Sequence, residues 1–498
     1  MADQQEEPQP SPASATPQHV QTGTPNECLV ERARELYRGV ALAPMVRAST
    51  TPLRILALKY GADVCYTEEL VDRSVLAMTR VENHEMGTID YVKDMSKKSK
   101  KVQKRIGKNG AQAALFLRID RQFEKGRLIC QLGTGTPELA LKAALHVQQD
   151  VAAIDINMGC PKKFSVGGGM GSALLSDPDR AASIIQTLRQ NLTVPVSCKV
   201  RLLEDTDATL AFCNRMIDAG AMAIAIHGRR VGHDSTEAAD WDTLRTVVQS
   251  LRRQHPNLPI MLNGDFYTRQ EWMDFQEQTG ASGVLLGRPA LYNTSIFRSL
   301  PSTKLVDTRS GTASVTPPTT TMMNLGYDSP LLLSKTRVVQ DYVRESVKYN
   351  NHYKNTKYVV AEMMTNRRAP TERTPRLQQK FPDGQTIAKV CSCSSMEDMC
   401  KLWGVDPLET MVVTHNANTN TNNSNGTERK QEAAQPGEHK YDDSYFMKHE
   451  KSPATDDLAS PSEAMTNCTK KEEKEEEEKK EEGPSSKRPK LSASGIDC

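Results

Sequence analysis

The sequence predicts an α/β protein: a (β/α)8 barrel, then a small α-helical domain, flanked by disordered N- and C-terminal tails. Three observations carry that expectation. Eight short apolar runs alternate with helix-length segments across about 260 residues, the number and length of a TIM barrel. The runs are nearly continuous in their apolar character, as strands are when helices cover both faces of a parallel sheet. No G-x-G-x-x-G follows the first run, which weakens the competing doubly wound sheet.

The elements are justified in chain order. Residues 1–26 are rich in Gln, Pro, Ser and Thr and are expected to be disordered. Residues 27–300 hold the barrel, with strands expected at 40–44, 64–67, 128–132, 152–156, 194–200, 223–227, 260–263 and 283–286. Helices are expected between most of them, at 137–149, 178–190, 209–219, 242–253 and 269–278. Residues 301–330 are rich in Ser, Thr and Pro and read as a linker or long loop. A helical domain follows at 331–405, with helices expected at 332–348 and 353–364. Residues 406–498 contain an Asn/Thr-rich stretch, a Lys/Glu block and a basic tip, and cannot bury enough apolar surface to offset chain entropy.

Composition agrees. The chain has 498 residues, of which 37% are hydrophobic and 5% aromatic, below the roughly 45–50% apolar share of a globular domain, so a core diluted by polar tails fits better than one compact domain. The formal net charge of +2 leaves nucleic acid open as a partner, because opposite charges sit in separate segments. No apolar stretch of about 18 residues occurs, so no membrane helix is expected. The first residues carry neither the apolar run of a secretory signal nor the arginines of a transit peptide. Eleven scattered cysteines, an odd number, point to reduced thiols in the cytosol or nucleus.

Several strands end in a polar residue that an apolar strand does not need: Gln131, Asn157, Lys199 with Arg201, His227, Asn263, and Gly287 with Arg288. In a barrel all of these fall on the C-terminal rim, where active sites are built. Asn263-Gly264-Asp265 and Gly287-Arg288-Pro289 suit a phosphate, since glycine admits backbone amides and Arg288 supplies charge. Lys199 and His227 suit a polarised heterocycle, although Lys199 alone also reads as a solvated strand end. Pro44, Met45 and Val46 offer an apolar wall. Together these residues suit a phosphorylated flat cofactor, with flavin mononucleotide (FMN) the natural candidate. After the fourth strand comes Asn157-Met158-Gly159-Cys160-Pro161, followed by a glycine run at 167–169 and 171. Cys160 reads as nucleophile, acid or inert small residue, and the glycines as a loop able to close over a substrate. No second Cys or His stands at ligand spacing, so no metal is expected.

These segments resemble the tRNA-dihydrouridine synthase family: Ala43-Pro44-Met45-Val46, Asp155-Ile156-Asn157-Met158-Gly159-Cys160-Pro161, Gly168-Gly169-Met170-Gly171-Ser172-Ala173-Leu174-Leu175, Cys198-Lys199-Val200-Arg201, Ile226-His227-Gly228-Arg229 and Asn263-Gly264. The resemblance covers about 40–297 and, more weakly, Asn355-Thr356-Lys357-Tyr358. It implies an FMN-dependent reductase that uses NADPH or NADH to saturate the C5–C6 bond of a D-loop uridine in tRNA, with position 20 expected. It implies Cys160 as the acid that protonates C5 while a hydride reaches C6, so the thiol must stay protonated. Pro44, Met45, Val46, Gln131, Lys199, His227, Asn263, Gly264, Asp265, Gly287 and Arg288 then map to the cofactor, and Asn157, Arg201 and Lys357 to the substrate. The target base must leave its stack to be reached. The chain departs from the family at Gly167, where a basic residue is usual, and shows no double-stranded-RNA-binding domain after its helical part. The basic segment 97–108 reads either as a tRNA phosphate contact or as a solvated loop. Lys487, Arg488 and Lys490 fit a nuclear-localisation pattern on an otherwise cytoplasmic protein. The readings kept beside this one are an FMN barrel reductase of a small molecule and a catalytically weak tRNA-binding factor; oligomeric state is not legible.

Overall fold

The structure, a computed structural model, describes residues 25–94, 113–233, 236–298, 331–365, 374, 381–382 and 384–407. The expected linker, the basic segment 97–108, the tail with Lys487, Arg488 and Lys490, and most of the N-terminal segment lie outside the described residues.

Eight parallel strands form a closed barrel, in order Gly39–Leu42, Val64–Tyr66, Leu128–Gly133, Ala153–Asn157, Val196–Leu202, Ala223–Arg230, Ile260–Asn263 and Gly283–Leu286. Each pairs with the next, and the first pairs with the eighth in register from Gly39 opposite Gly283 to Leu42 opposite Leu286. The apolar runs form strands because both faces are covered: Ile154, Ile156, Val196, Cys198, Val200, Ile224 and Ile226 are fully buried. The surrounding helices start where their sequences signal it. Thr136 and Asp177 cap Pro137–Val147 and Pro178–Asn191, each with proline in the first turn. Thr268 and Glu271 form a reciprocal capping box on Arg269–Thr279.

Three features depart from the sequence expectation. The helix Pro25–Leu36 begins inside the segment expected to be tail. The excursion between the second and third barrel strands is not only a basic loop. It contains an antiparallel sheet of Met78–Asn83, Thr88–Asp94 and Ala113–Asp120. That sheet escapes a reading of apolar alternation because it buries charge: Arg118 Nη2 and Asp90 Oδ2 pair at 2.6 Å with side chains 3% and 0% exposed. Third, the helix Thr51–Tyr60 after the first strand is buried along most of its length, including Arg54, which pairs with the buried Glu124 at 2.6 Å.

That buried first helix carries the helical domain. Lys335–Lys348 packs on it, with Lys59 paired to Glu345 and the Tyr60 hydroxyl donating to Asp341 Oδ2 at 2.7 Å. Arg118 also donates to the Tyr349 carbonyl, so one guanidinium ties the inserted sheet to the helical domain. Tyr353–Thr365 reaches the barrel rim itself: Asn355 Nδ2 donates to the Arg47 carbonyl at 2.7 Å, and the Arg47 guanidinium lies 4.7 Å from the Tyr358 ring centroid. The helices Ile387–Ser392 and Met396–Trp403 complete this part.

Candidate active site

The site is built at the C-terminal ends of the strands. From the interior outward, Gln131 comes first. It is 2% exposed, and its Nε2 donates to Asp155 Oδ2 at 2.8 Å. Asp155 also accepts from Ser197 Oγ at 2.6 Å, and Ser197 in turn accepts from the Tyr37 hydroxyl at 2.8 Å. This buried chain fixes the orientation of the Gln131 amide. Burial raises the Asp155 carboxyl to about 6 despite the hydrogen bonds that oppose it.

Four cations converge above it. Lys199, Arg201, Arg229 and Arg288 all bear on His227; burial first, and then these charges, hold its imidazole well below the ordinary histidine range, so the ring is neutral. Its Nδ1 is shielded from solvent and has no partner among the described residues. Lys199 is pushed down to about 8, by burial foremost and then by Arg201. Arg201 donates from Nε to the Gly159 carbonyl at 2.8 Å and from Nη1 to the Arg230 carbonyl at 3.1 Å. It therefore braces the loop that carries Cys160.

The seventh and eighth strands supply the phosphate-like corner. Asn263 Nδ2 donates to the Leu285 carbonyl at 2.9 Å and links the two strand ends. Gly264 has φ +124, and a Cβ there would lie 3.1 Å from the Ala239 Cβ and 3.3 Å from the Gly228 nitrogen. Asp265 pairs with Arg229 and, at 2.7 Å, with Arg288, and accepts from the Ala239 amide at 2.9 Å. Its carboxylate thus aims the two guanidiniums. Across the rim, the first loop is shaped by Ser49 Oγ, which accepts from the Met45 amide at 3.1 Å and donates to the Ala43 carbonyl at 2.8 Å. A Cβ on Gly287 would meet the Met45 sulfur at 3.7 Å, so the first and eighth loops face one another. Pro44 and Met45 are half-buried there and Val46 is exposed.

Cys160 follows the fourth strand and is half-buried. Asn157 Oδ1 accepts from the Gly159 amide at 3.1 Å and shapes the turn. Gly171, at φ +59, closes the loop against it, since a Cβ would lie 2.6 Å from the Cys160 carbonyl oxygen. The thiol is pushed above its ordinary value by burial and then by Glu69. Gly167 is exposed, and a Cβ there would meet nothing within 4 Å.

Thus the rim brings together the eleven residues expected at a cofactor, with Asn157, Cys160 and Arg201 beside them. Lys357 comes from Tyr353–Thr365 of the helical part, its Nζ bonded to the Cys391 carbonyl at 2.5 Å. Sequence reasoning assigned no part to Glu69, Asp155, Ser165 or Arg229. Asp155 and Arg229 stood inside quoted motifs; a charged residue within an apolar strand was the available signal. Among the described residues no group of three His, Cys, Asp or Glu could hold a metal ion, and no helix is long and apolar enough to cross a membrane.

Residues 41–381 match the dihydrouridine synthase (Dus) family. The chain belongs to that family. Among relatives, it is 35% identical over 332 residues to the tRNA-dihydrouridine(20) synthase [NAD(P)+] of Schizosaccharomyces pombe, covering 65% of this chain and 59% of the relative. It is 31% identical over 338 residues to the protein of the same name from Saccharomyces cerevisiae, covering 66% of this chain and 78% of the relative. A tRNA-dihydrouridine(16/17) synthase [NAD(P)(+)] of Schizosaccharomyces pombe matches at 31% over 260 residues, 51% of this chain and 56% of the relative. The chain therefore spans well under two thirds of the first relative's length. The Dus match runs past the barrel through Lys335–Lys348 and Tyr353–Thr365 and ends before the last two helices.

Proposed function

We propose that this chain is an FMN-dependent tRNA-dihydrouridine synthase that reduces the C5–C6 bond of a D-loop uridine, at position 20, with NAD(P)H as reductant. The observation that carries the reading is one rim holding a cationic cradle around a buried His227 Nδ1 that has no partner among the described residues and, beside it, a cysteine held as a thiol.

The residues present fit a flavin mononucleotide. Arg288 and Arg229, aimed by Asp265, together with the amides at Gly264 and Gly287, suit its phosphate. Lys199, His227 and Gln131 suit the polar edge of its ring, and Met45 a ring face. A flavin held there would supply the hydride that NAD(P)H provides. Cys160 supplies the proton to C5, relieving the charge that develops there. Burial and a carboxylate neighbour keep that thiol protonated, the state an acid needs. Asn157 stands in register with Lys199 on the neighbouring fifth strand, in a position suited to the substrate base, and Arg201 holds the Cys160 loop.

The substrate reading is supported by the relatives' names and by the extent of the matches. The position-20 relatives match over 332 and 338 residues, against 260 for the 16/17 relative. The Dus match reaches into the helical part, whose Asn355 and Tyr358 touch Arg47 on the rim. A tRNA bound there would meet both parts. Cytoplasmic location, with a nuclear fraction through Lys487, Arg488 and Lys490, is part of the same proposal.

Purified protein should carry a flavin absorbance that NADPH bleaches; colourless protein that gains no spectrum with added FMN would sink the cofactor reading. Cys160→Ala should keep flavin reduction but slow tRNA reduction by about 10²–10⁴-fold. Free uridine reduced as fast as unmodified tRNA would instead favour a small-molecule reductase.

A further inference from the structure

Glu69 lies just beyond the second barrel strand, at a strand end for which the sequence offered no candidate. Its carboxylate is enclosed by donors from the cysteine loop. Ser165 Oγ donates to Oε1 at 2.9 Å, and the Cys160 and Asn157 side chains bear on the same carboxylate. Gly133 leaves it room: a Cβ at that position would lie 2.6 Å from Glu69 Oε1. Ser165 is fully buried. The space left by Gly171 is bounded at once by Ser165 Oγ at 2.9 Å and by the Cys160 Cβ at 3.1 Å. Glu69, Ser165, Asn157 and Cys160 therefore form one cluster assembled from two loops.

We propose that Glu69 is the positioning residue of Cys160: its carboxylate accepts the thiol hydrogen, aims the sulfur, and through Ser165 fastens the cysteine loop in that pose. The proposal rests on the proposed function only in taking Cys160 as the acid. The physical reason is that ionising the thiol would set two anions in contact in a half-buried site, so the carboxylate favours S–H. In turnover the S–H bond breaks as the C5–H bond forms, and the thiolate left beside Glu69 regains its proton from water. The other charges on the thiol come from its own loop, where Lys162 acts in the opposite sense to Glu69, and Arg201 faces it from the fifth strand. Lys199 bears on both Cys160 and Glu69.

The test reads the thiol itself. Full-length protein is alkylated with iodoacetamide across about pH 6 to 10, and modification of the Cys160 peptide is followed by mass spectrometry. Wild type should show a midpoint above the ordinary thiol value of about 8.5. In Glu69→Gln, which keeps shape and removes charge, the midpoint should fall by about one unit, so alkylation well below the midpoint should be about tenfold faster. Glu69→Asp, which keeps the charge one methylene further away, should fall between them. Ser165→Ala should keep the high midpoint. If Glu69→Gln does not fold, the Glu69→Asp midpoint decides. A faster plateau with an unshifted midpoint in either variant means a merely looser loop and overturns the proposal. None of this needs flavin, tRNA or turnover, so loss of the flavin spectrum or of dihydrouridine formation would strike the proposed function alone.

Discussion

Lys199 offers the sharpest quantitative test of the rim. Burial and Arg201 bring its ammonium down to about 8, whereas an ordinary lysine titrates near 10.4. An anionic cofactor beside it should restore the charge. If the bound value returns to about 10.4, binding takes up a proton wherever the free protein has lost one. The protonated fraction of free protein falls from about 0.9 at pH 7 to about 0.1 at pH 9, so FMN affinity should weaken by about tenfold, or about 1.4 kcal/mol. The groups facing Lys199 are Arg201, Asp155, Cys160 and Glu69. Asp155, at about 6, is ionised throughout this window, and a phosphomonoester completes its second ionisation near 6. Quenching of FMN fluorescence by apo-protein at pH 7, 8 and 9 gives the dissociation constants. Lys199→Met should bind more weakly and show no tenfold slope, and comparison with wild type removes what Cys160 and Glu69 contribute. A flat wild-type profile, or the same slope without the lysine, would refute the reasoning. Stability of the apo-protein should run the other way. The folded pKa lies below the unfolded one, so the unfolded chain holds more protons between about 8 and 10.4 and stability from this group rises with pH there.

Two further outcomes are expected. Asp90→Ala would leave the Arg118 guanidinium buried without its carboxylate, a loss of about 3–5 kcal/mol; thermal melting should fall by more than about 6 °C, and a smaller drop would show the pair to be replaceable. Gly167→Lys should leave the melting temperature nearly unchanged, within about 0.5 kcal/mol, because nothing lies within 4 Å of a Cβ there. The added cation should also steepen the salt dependence of tRNA binding by about one unit of slope. An unchanged slope would mean that position 167 does not reach the RNA.

The eight barrel strands were legible because helices cover both faces of the sheet, and continuous apolar runs such as 260–263 and 283–286 record that cover directly. The rim was legible for a related reason: Lys199, His227, Asn263 and Arg288 interrupt those runs at their ends, where packing gives no cause for them. The inserted sheet of Met78–Asn83, Thr88–Asp94 and Ala113–Asp120 was not legible, because Asp90 and Arg118 are buried as a pair and spoil the alternation that marks a half-buried strand.

What the sequence by itself determined is therefore the barrel, its polar rim and the place of the Cys160 loop on it, all written in local periodicity and its interruptions. The tertiary structure alone decided which groups meet: Asp265 between Arg229 and Arg288, Asp155 holding Gln131, and Glu69 against Ser165 of the cysteine loop. These partners come from different strands and loops. A carboxylate's role depends on the donor that closure of the barrel brings within about 3 Å of it, and that distance is not a property of either residue's own segment.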